Sequence, residues 1–117
     1  MQERRKAERI DSLNLVHITS HDTEGKVVQQ GIGCTINISE KGILLETHFE
    51  IDPNDRQTVS IGLEEEIVEI RAPVIHLQRM DDGRFQMGLA FEDLDAATLE
   101  TLRGFVRRFK AHAVEGP

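Results

Sequence analysis

Two short clusters in this chain of 117 residues carry side chains that could bind a ligand. The first is NISEKG, residues 37–42, which supplies an amide at Asn37, a hydroxyl at Ser39 and a glycine at Gly42. An amide and a hydroxyl on the same face of a strand end can together read the edge of a heteroaromatic ring. Gly42 predicts a sharp reversal and a stretch of backbone that a ligand can approach.

The second cluster is RRKAER, residues 4–9, which contains Arg5 and Arg9. A guanidinium group binds a phosphate through two parallel hydrogen bonds, and its plane stacks on aromatic rings. Ordering a free N-terminal segment, here called the leader, costs about 1–2 kcal/mol of backbone conformational entropy per residue. One exposed ion pair contributes only about 0–1 kcal/mol. Several contacts must therefore act together, and the two clusters suit a ligand that carries both phosphates and bases.

Each cluster alone has a simpler interpretation. Arginines in an N-terminal tail are usually solvated, and the pattern Asn-x-Ser-x-x-Gly is more often a polar turn than a binding site. Their co-occurrence is more specific, because the arginines precede the first predicted strand and the turn follows the second.

Short strands are predicted between and after these clusters. Gly31 and Gly33 predict a bulge or bend in the second strand, and Pro73 predicts an edge or bulge in the fifth. Because no helix separates the strands, the pattern indicates an antiparallel barrel. The strand-like runs cover residues 13–19, 27–38, 42–49, 57–63, 65–78 and 85–94.

From Asp95 onwards the apolar residues follow helical spacing, at Leu99, Leu102, Phe105, Val106 and Phe109. This spacing predicts a helix over residues 95–112 that closes one end of the barrel, with Asp95 as its N-cap. The length suits one hydrophobic core. We therefore expect a single domain over residues 1–117, with a leader at 1–10 and a barrel over 11–94.

Composition narrows the possible functions. The formal net charge of −7 argues against nucleic-acid binding by the whole surface. Residues 3–9 nevertheless carry four cations and two anions, a local charge of +2, so a small anionic ligand remains compatible. No apolar run is long enough to span a membrane. A lone cysteine, Cys34, cannot form an internal disulfide, which fits a cytoplasmic location.

No catalytic or metal-binding arrangement is visible in the sequence. The histidines lack the paired spacing of a metal site, and there is neither a nucleophile motif nor a phosphate-binding loop. We expect no enzymatic activity, no metal and no cofactor. Cys34 is expected to be a small buried residue, and His76 to be partly buried or on the ligand side. The five histidines are His17, His21, His48, His76 and His112.

These residues carry a resemblance to a known family. RKAER, residues 5–9, resembles the RxxxR motif of the PilZ domain family, and NISEKG resembles its (D/N)xSxxG motif at every defined position. Residues 72–94 also resemble the closing hairpin of that family, with its apolar-Gly-apolar-x-Phe ending. The resemblance covers roughly residues 4–110. It implies a six-stranded antiparallel split β-barrel with a C-terminal helix, which binds the bacterial second messenger cyclic di-GMP.

The resemblance also implies a role for each motif residue. Arg5 and Arg9 would contact phosphates and stack on guanine. Asn37 and Ser39 would hydrogen-bond a guanine, and Gly42 would keep that turn open.

Arg4 directly precedes the first motif and is a further candidate ligand-binding residue. Because a guanidinium stacks well on rings, we expect Arg4 to cover an additional base and favour an intercalated cyclic di-GMP dimer.

The resulting hypothesis is a receptor whose arginine leader becomes ordered over the ligand and signals to a downstream protein that the sequence does not identify. The alternative is a ligand-independent protein-interaction module on the same barrel. A nucleic-acid-binding barrel is disfavoured by the acidic charge and by the absence of Trp and Tyr. The chain could be a monomer or a homodimer, since the helix could cover its own barrel or pair with a neighbour.

Overall fold

The computed structural model of the chain describes residues 15–63 and 66–115. Within these ranges, seven strands are followed by one helix. The strands are β1 (Leu15–His21), β2 (Val27–Ile38), β3 (Gly42–Thr47), β4 (Arg56–Leu63), β5 (Glu66–Arg71), β6 (Val74–Arg79) and β7 (Phe85–Ala90), and the helix is α1 (Ala96–Glu115).

All seven strands belong to one antiparallel sheet in the order β5-β4-β1-β2-β3-β7-β6. The predicted all-β antiparallel sheet with a C-terminal helix is thereby confirmed. The strand count differs from six because the predicted strand at 65–78 is divided into β5 and β6. Pro73 lies at the division and has no N–H for a ladder hydrogen bond. The preceding N–H, of Ala72, donates instead to the carbonyl of Gln57 at 2.9 Å.

The sheet order is open, with β5 and β6 at its two edges, and closure into a barrel is not confirmed. The edge strand β5 also contacts the segment that follows β7, the strand next to the opposite edge. Arg71, at the end of β5, forms an isolated bridge with Glu92, just beyond β7. The N–H of Glu92 donates to the carbonyl of Arg71 at 2.9 Å. The sheet is therefore strongly curved, and its inner face encloses the core.

The core lies between the inner face of the sheet and one face of α1. Val16 and Ile18 alternate with outward residues along β1 and are buried. Leu102, Phe105 and Phe109 lie at the predicted helical spacing, and all three are buried. The helix therefore covers the core of its own sheet.

Asp95 caps α1 as predicted. Its carboxylate accepts a hydrogen bond from the N–H of Thr98 at 2.7 Å, and its carbonyl accepts one from the N–H of Leu99 at 2.9 Å. The helix begins at Ala96 and ends at Glu115, three residues later than the predicted end.

None of the described helical residues forms a span long and apolar enough to cross a membrane.

Candidate ligand-binding site

The residues of the NISEKG cluster lie where β2 ends and β3 begins. Asn37 is the penultimate residue of β2, Ser39 lies in the connection, and Gly42 is the first residue of β3. Asn37 and Ser39 are both exposed. The three remaining predicted site residues, Arg4, Arg5 and Arg9, lie outside the described residues.

A β-bulge turns Asn37 towards solvent. The register between β2 and β3 shifts between Thr35 and Asn37, so Ile36 is an extra residue in β2. Ile36 and Asn37 are consequently both exposed, whereas Thr35 and Ile38 on either side are buried. A bulge of this kind re-aims a side chain at a functional surface. Without it, alternation from the buried Thr35 would turn Asn37 inward and Ile38 outward.

The bulge expected at the glycines of β2 is absent. Gly31 and Gly33 keep a regular register opposite Ile18 and Val16. Gly31 has a packing reason instead, because a Cβ at this position would overlap the ring of Phe49.

Hydrogen bonds hold the connection between β2 and β3 in shape. The N–H of Ser39 donates to the carbonyl of Gly42 at 2.9 Å, and the Ser39 hydroxyl oxygen accepts from the N–H of Lys41 at 3.1 Å. The Asn37 side-chain oxygen accepts from the N–H of Ile38 at 2.9 Å. Within the described residues, these bonds leave the amide N–H₂ of Asn37 and the hydroxyl proton of Ser39 as donors for a ligand.

Gly42 is required by the packing of β3 against β7. It pairs with Ala90, and a Cβ on Gly42 would come closer to the carbonyl oxygen of Leu89 than real Cβ atoms do. The φ of Gly42 is not in the left-handed region. Among the described glycines, Gly25 and Gly83 have a φ in that region. The predicted reversal occurs between Ile38 and Gly42, where the antiparallel strands β2 and β3 are joined. A close approach of two backbones, of β3 and β7, explains why the residue that opens β3 is a glycine.

An open pocket of about 180 Å³ lies beside Asn37 and Ser39 on the outer face of the sheet. The neighbouring positions on that face are Leu44 of β3 and Gly88 of β7, which are paired with each other. Gly88 has no side chain, and this leaves the middle of the pocket open. The described residues that line it are Asn37, Ile38, Ser39, Gly42, Ile43, Leu44, Ile75, Gly88 and Leu89.

A second bulge supplies an apolar wall to this pocket. The register between β6 and β7 shifts between Val74 and His76, so Ile75 is an extra residue in β6. Its side chain is 72% exposed although it is large and apolar. Ile75 therefore offers the pocket a hydrophobic surface that solvent covers in the ligand-free chain.

Sequence reasoning missed Leu44, Ile75 and Gly88 as lining residues. Only Gly88 had a signal, as the glycine of the apolar-Gly-apolar-x-Phe ending in MGLAF. His76 is exposed and lies opposite Gly88, on the face that carries the pocket. Cys34 is exposed, so the expectation that it is buried is wrong.

The site is suited to binding. It combines hydrogen-bond donors at Asn37 and Ser39 with the apolar surfaces of Leu44 and Ile75. Within the part of the chain that the structure describes, the Ser39 hydroxyl has no hydrogen bond to a histidine or carboxylate that could activate it. Over the same residues, no group of three His, Cys, Asp or Glu side chains could hold a metal ion.

The fold and the site together define a small β-sheet domain with an open pocket on the outer face of its sheet. Comparison with protein-family models matches residues 3–108 to the PilZ domain. The chain belongs to the PilZ domain family, as its two motifs indicate.

Among solved structures, the chain is similar to MrkH of K. pneumonia in its apo state, with a TM-score of 0.58 and 13% sequence identity. The similarity covers 86% of this chain and 48% of MrkH, so the chain spans about half the length of that protein. At this identity the likeness concerns the fold. No curated protein matches the chain.

Proposed function

We propose that this PilZ-family protein is a bacterial cyclic di-GMP receptor, in which Asn37, Ser39 and Gly42 form one half of the ligand site. The observation that carries the proposal is the bulge at Ile36. It places the amide of Asn37 beside Ser39 at the rim of a pocket with an apolar wall. Family membership supports the same ligand.

The chemistry of the pocket fits a guanine base. The amide N–H₂ of Asn37 and the hydroxyl of Ser39 can donate to the acceptors on the guanine edge, O6 and N7. Leu44 and Ile75 offer apolar surface to the face of the ring. Removing this surface from water on binding is favourable by about 25 cal/mol per Å².

The size of the pocket supports a contribution from the arginine cluster. Ligand pockets usually measure about 300–1,000 Å³, and this pocket measures about 180 Å³. It can hold one base, and the phosphates and the second base must then be bound by other groups. We assign these contacts to Arg5 and Arg9, with Arg4 stacking on a further base.

The proposed signal is an ordering of the N-terminal arginine segment over the bound messenger. Such a switch requires that the ligand and the downstream partner both favour the ordered state. The ligand-independent interaction module would need an exposed apolar patch. Over residues 96–111 of α1, no large apolar side chain is exposed, and the exposed ones among the described residues lie on the strands. We prefer the receptor because both ligand motifs are intact at every defined position.

Isothermal titration of cyclic di-GMP tests the receptor. The wild type is compared with Arg5→Ala, Arg9→Ala and Ser39→Ala, and with Ser60→Ala as the matched control. Ser60 lies on the outward side of β4, away from the pocket. Arg5→Ala and Arg9→Ala are expected to lose roughly 10- to 150-fold in affinity, because a hydrogen bond to a charged group contributes about 1.5–3 kcal/mol. Ser39→Ala removes a hydrogen bond to a neutral base, worth about 0.5–1.5 kcal/mol, and is expected to lose roughly 2- to 10-fold. Ser60→Ala should bind as the wild type does.

Absence of binding by the wild type at high messenger concentration would contradict the receptor. Equal affinity of all five proteins would contradict the assignment of the site. The stoichiometry tests Arg4: two ligands per chain in the wild type and one in Arg4→Leu are expected. Protection of the leader from trypsin by saturating messenger tests the ordering step, and unchanged cleavage would refute it.

A further inference from the structure

A second and larger cavity lies where β4 begins between β1 and β5. Its volume is about 630 Å³, more than three times the 180 Å³ of the pocket at Asn37, and the two have no lining residue in common. The lining residues that matter here are His21, Arg56, Thr58, Arg71, Pro73 and Glu92.

Strand register brings three basic side chains together at this cavity. His21 of β1 is paired with Arg56 of β4, and Thr58 of β4 is paired with Arg71 of β5. Directly paired residues have Cβ atoms about 4.5–5.5 Å apart, and diagonal neighbours lie about 7–8 Å apart. Arg56 and Arg71 are diagonal neighbours on the outer face, so one small anion can contact both guanidinium groups.

The guanidinium of Arg56 has no competing partner in the described part of the chain. No ion pair or side-chain hydrogen bond joins it to residues 15–63 or 66–115. Arg71 has only a long contact, with its Nη1 at 3.6 Å from Oδ2 of Asp93. Both of these side chains are more than two-thirds exposed, at 71% and 77%, so the contact is weak and easily exchanged for a ligand.

The break in the sheet at Pro73 keeps Arg56 accessible. The ladder between β4 and β5 ends at the pair Thr58 and Arg71. Arg56 lies two residues before Thr58 in β4 and has no β5 residue opposite it. The segment opposite Arg56 has already passed the end of β5 and turns at Pro73 into β6. The start of β4 therefore faces the cavity.

One wall of the cavity is held rigidly by a buried glutamine. Gln57 is 2% exposed, and its side-chain nitrogen donates to the carbonyl oxygens of Asp52 at 3.1 Å and Asp55 at 3.2 Å. Its side-chain oxygen accepts from the hydroxyl of Ser20. The turn before β4 is thereby fixed. The protein therefore loses little conformational entropy when a ligand binds against this turn.

We propose that this cavity binds a small phosphate-bearing anion through the guanidinium groups of Arg56 and Arg71. Arginine suits this ligand because its rigid fork forms two parallel, charge-assisted bonds to a phosphate. The volume lies within the usual range for small-ligand sites, about 300–1,000 Å³. Two carboxylates on the lining, Asp55 and Glu92, oppose the anion and set an upper limit on its affinity. The site is independent of the pocket at Asn37.

The test is a titration of the full chain followed by ¹H–¹⁵N NMR in about 0.15 M salt, where long-range charge effects are screened. Inorganic pyrophosphate and GMP are the two probes. The amide signals of Gly25, Asn54 and Thr58, which line the cavity, are expected to shift. Shifts with both probes identify the phosphate as the recognised group, and tighter binding of GMP shows that the cavity also holds the nucleoside. Absence of these shifts at about 10 mM of either probe overturns the proposal.

Two variants that should change the affinity for pyrophosphate in opposite directions make the test specific. Arg56→Gln should weaken pyrophosphate binding by about 10-fold or more, through the loss of charge-assisted bonds. Glu92→Gln should strengthen it about 2- to 5-fold, because one opposing charge is removed. Arg79→Gln, an exposed arginine of β6 outside the cavity, is the control and should have no effect. Equal weakening in Arg56→Gln and Arg79→Gln would show diffuse charge attraction and overturn the site.

Discussion

Arg103 of α1 donates a hydrogen bond from its Nε to Oε1 of Glu40 at 3.2 Å. Glu40 lies between the proposed ligand residues Ser39 and Gly42, so this ion pair joins the ligand loop to the C-terminal helix. Leu102, next to Arg103, is fully buried and fixes this part of the helix against the sheet. This ion pair is therefore a contact through which the loop and α1 can stabilise each other.

A double-mutant cycle should detect this link between loop and helix. We expect Glu40→Gln, Arg103→Gln and the double variant to give a coupling of about 0.2–1 kcal/mol in the free energy of unfolding, because both side chains are partly exposed. The cycle cancels the second contact of Arg103, to Glu100 at 3.7 Å. Urea unfolding measures the coupling, which should fall towards zero at about 1 M NaCl. A coupling that is zero at low salt would contradict the link.

Local signals in the sequence predicted local structure well. Asp95 was identifiable as a cap because its position just before the helical spacing has a direct physical meaning. The sequence DDGR at residues 81–84 is also typical of a hairpin turn, and Gly83, between β6 and β7, takes the left-handed φ of 89° that such a turn needs.

The features that shape the site could not be read in this way, because they depend on strands distant in sequence. The bulges at Ile36 and Ile75 exist only in the register with a partner strand. Cys34 was assigned to the wrong face for a related reason, since alternation alone does not say which side of a strand is inside. Gly42 owes its identity to the carbonyl of Leu89, which is 47 residues away in the sequence.

Replacing Gly42 with alanine should destabilise the ligand-free protein. The new Cβ would overlap the carbonyl oxygen of Leu89, and β3 and β7 would have to separate. Overpacking of this kind costs about 1–3 kcal/mol. Gly62→Ala is the matched control, because no atom lies within 4 Å of its added Cβ. Urea unfolding should show a loss of stability in Gly42→Ala only. Equal stability of the two variants would mean that Gly42 serves the ligand alone.

Replacing either of two buried threonines with valine should change the free energy of unfolding, in opposite directions for the two positions. The hydroxyl of Thr35 is buried without a hydrogen-bond partner among the described residues, so Thr35→Val should raise the free energy of unfolding by about 1 kcal/mol. The hydroxyl of Thr47 donates to the carbonyl of Phe49 at 2.6 Å, and Thr47→Val should lower it by about the same amount. Thermal and urea unfolding measure both. Destabilisation by Thr35→Val would show that its hydroxyl has a partner in solution.

The carboxylate of Asp95, which caps α1, should make the free energy of unfolding depend on pH in the acid range. The backbone hydrogen bond from Thr98, followed by its side-chain hydrogen bond, lowers the pKa of Asp95 below the ordinary value of 3.8. A lowered folded pKa adds stability that is fully present above the unfolded pKa and is lost as the pH falls through the folded pKa. Asp95→Asn keeps a good cap but cannot titrate. Its stability should therefore fall less than that of the wild type between about pH 5 and about pH 3.

Asp95→Ala separates the cap from the titration. This variant loses both, so it should already be less stable than the wild type at neutral pH, where Asp95→Asn should not be. Some acid dependence should persist in both variants, because the pKa of Asp82 is also lowered, mainly by its side-chain hydrogen bond with Arg84. Identical pH profiles for the wild type and Asp95→Asn would contradict the lowered pKa of Asp95.

Ile75 provides the sharpest test of where the messenger lies on the sheet. The side chain is 72% exposed, so Ile75→Ser should change the free energy of unfolding by less than about 0.5 kcal/mol. If a guanine packs against this wall, the same variant should weaken cyclic di-GMP binding about 5-fold, equivalent to about 1 kcal/mol of lost apolar burial. Ile67→Ser is the matched control, since Ile67 is 76% exposed but lies on β5, outside the pocket. Titration calorimetry should show weakened binding in Ile75→Ser alone. Unchanged affinity in Ile75→Ser, with Ser39→Ala still impaired, would place the base against the loop and away from the wall that the bulge in β6 creates.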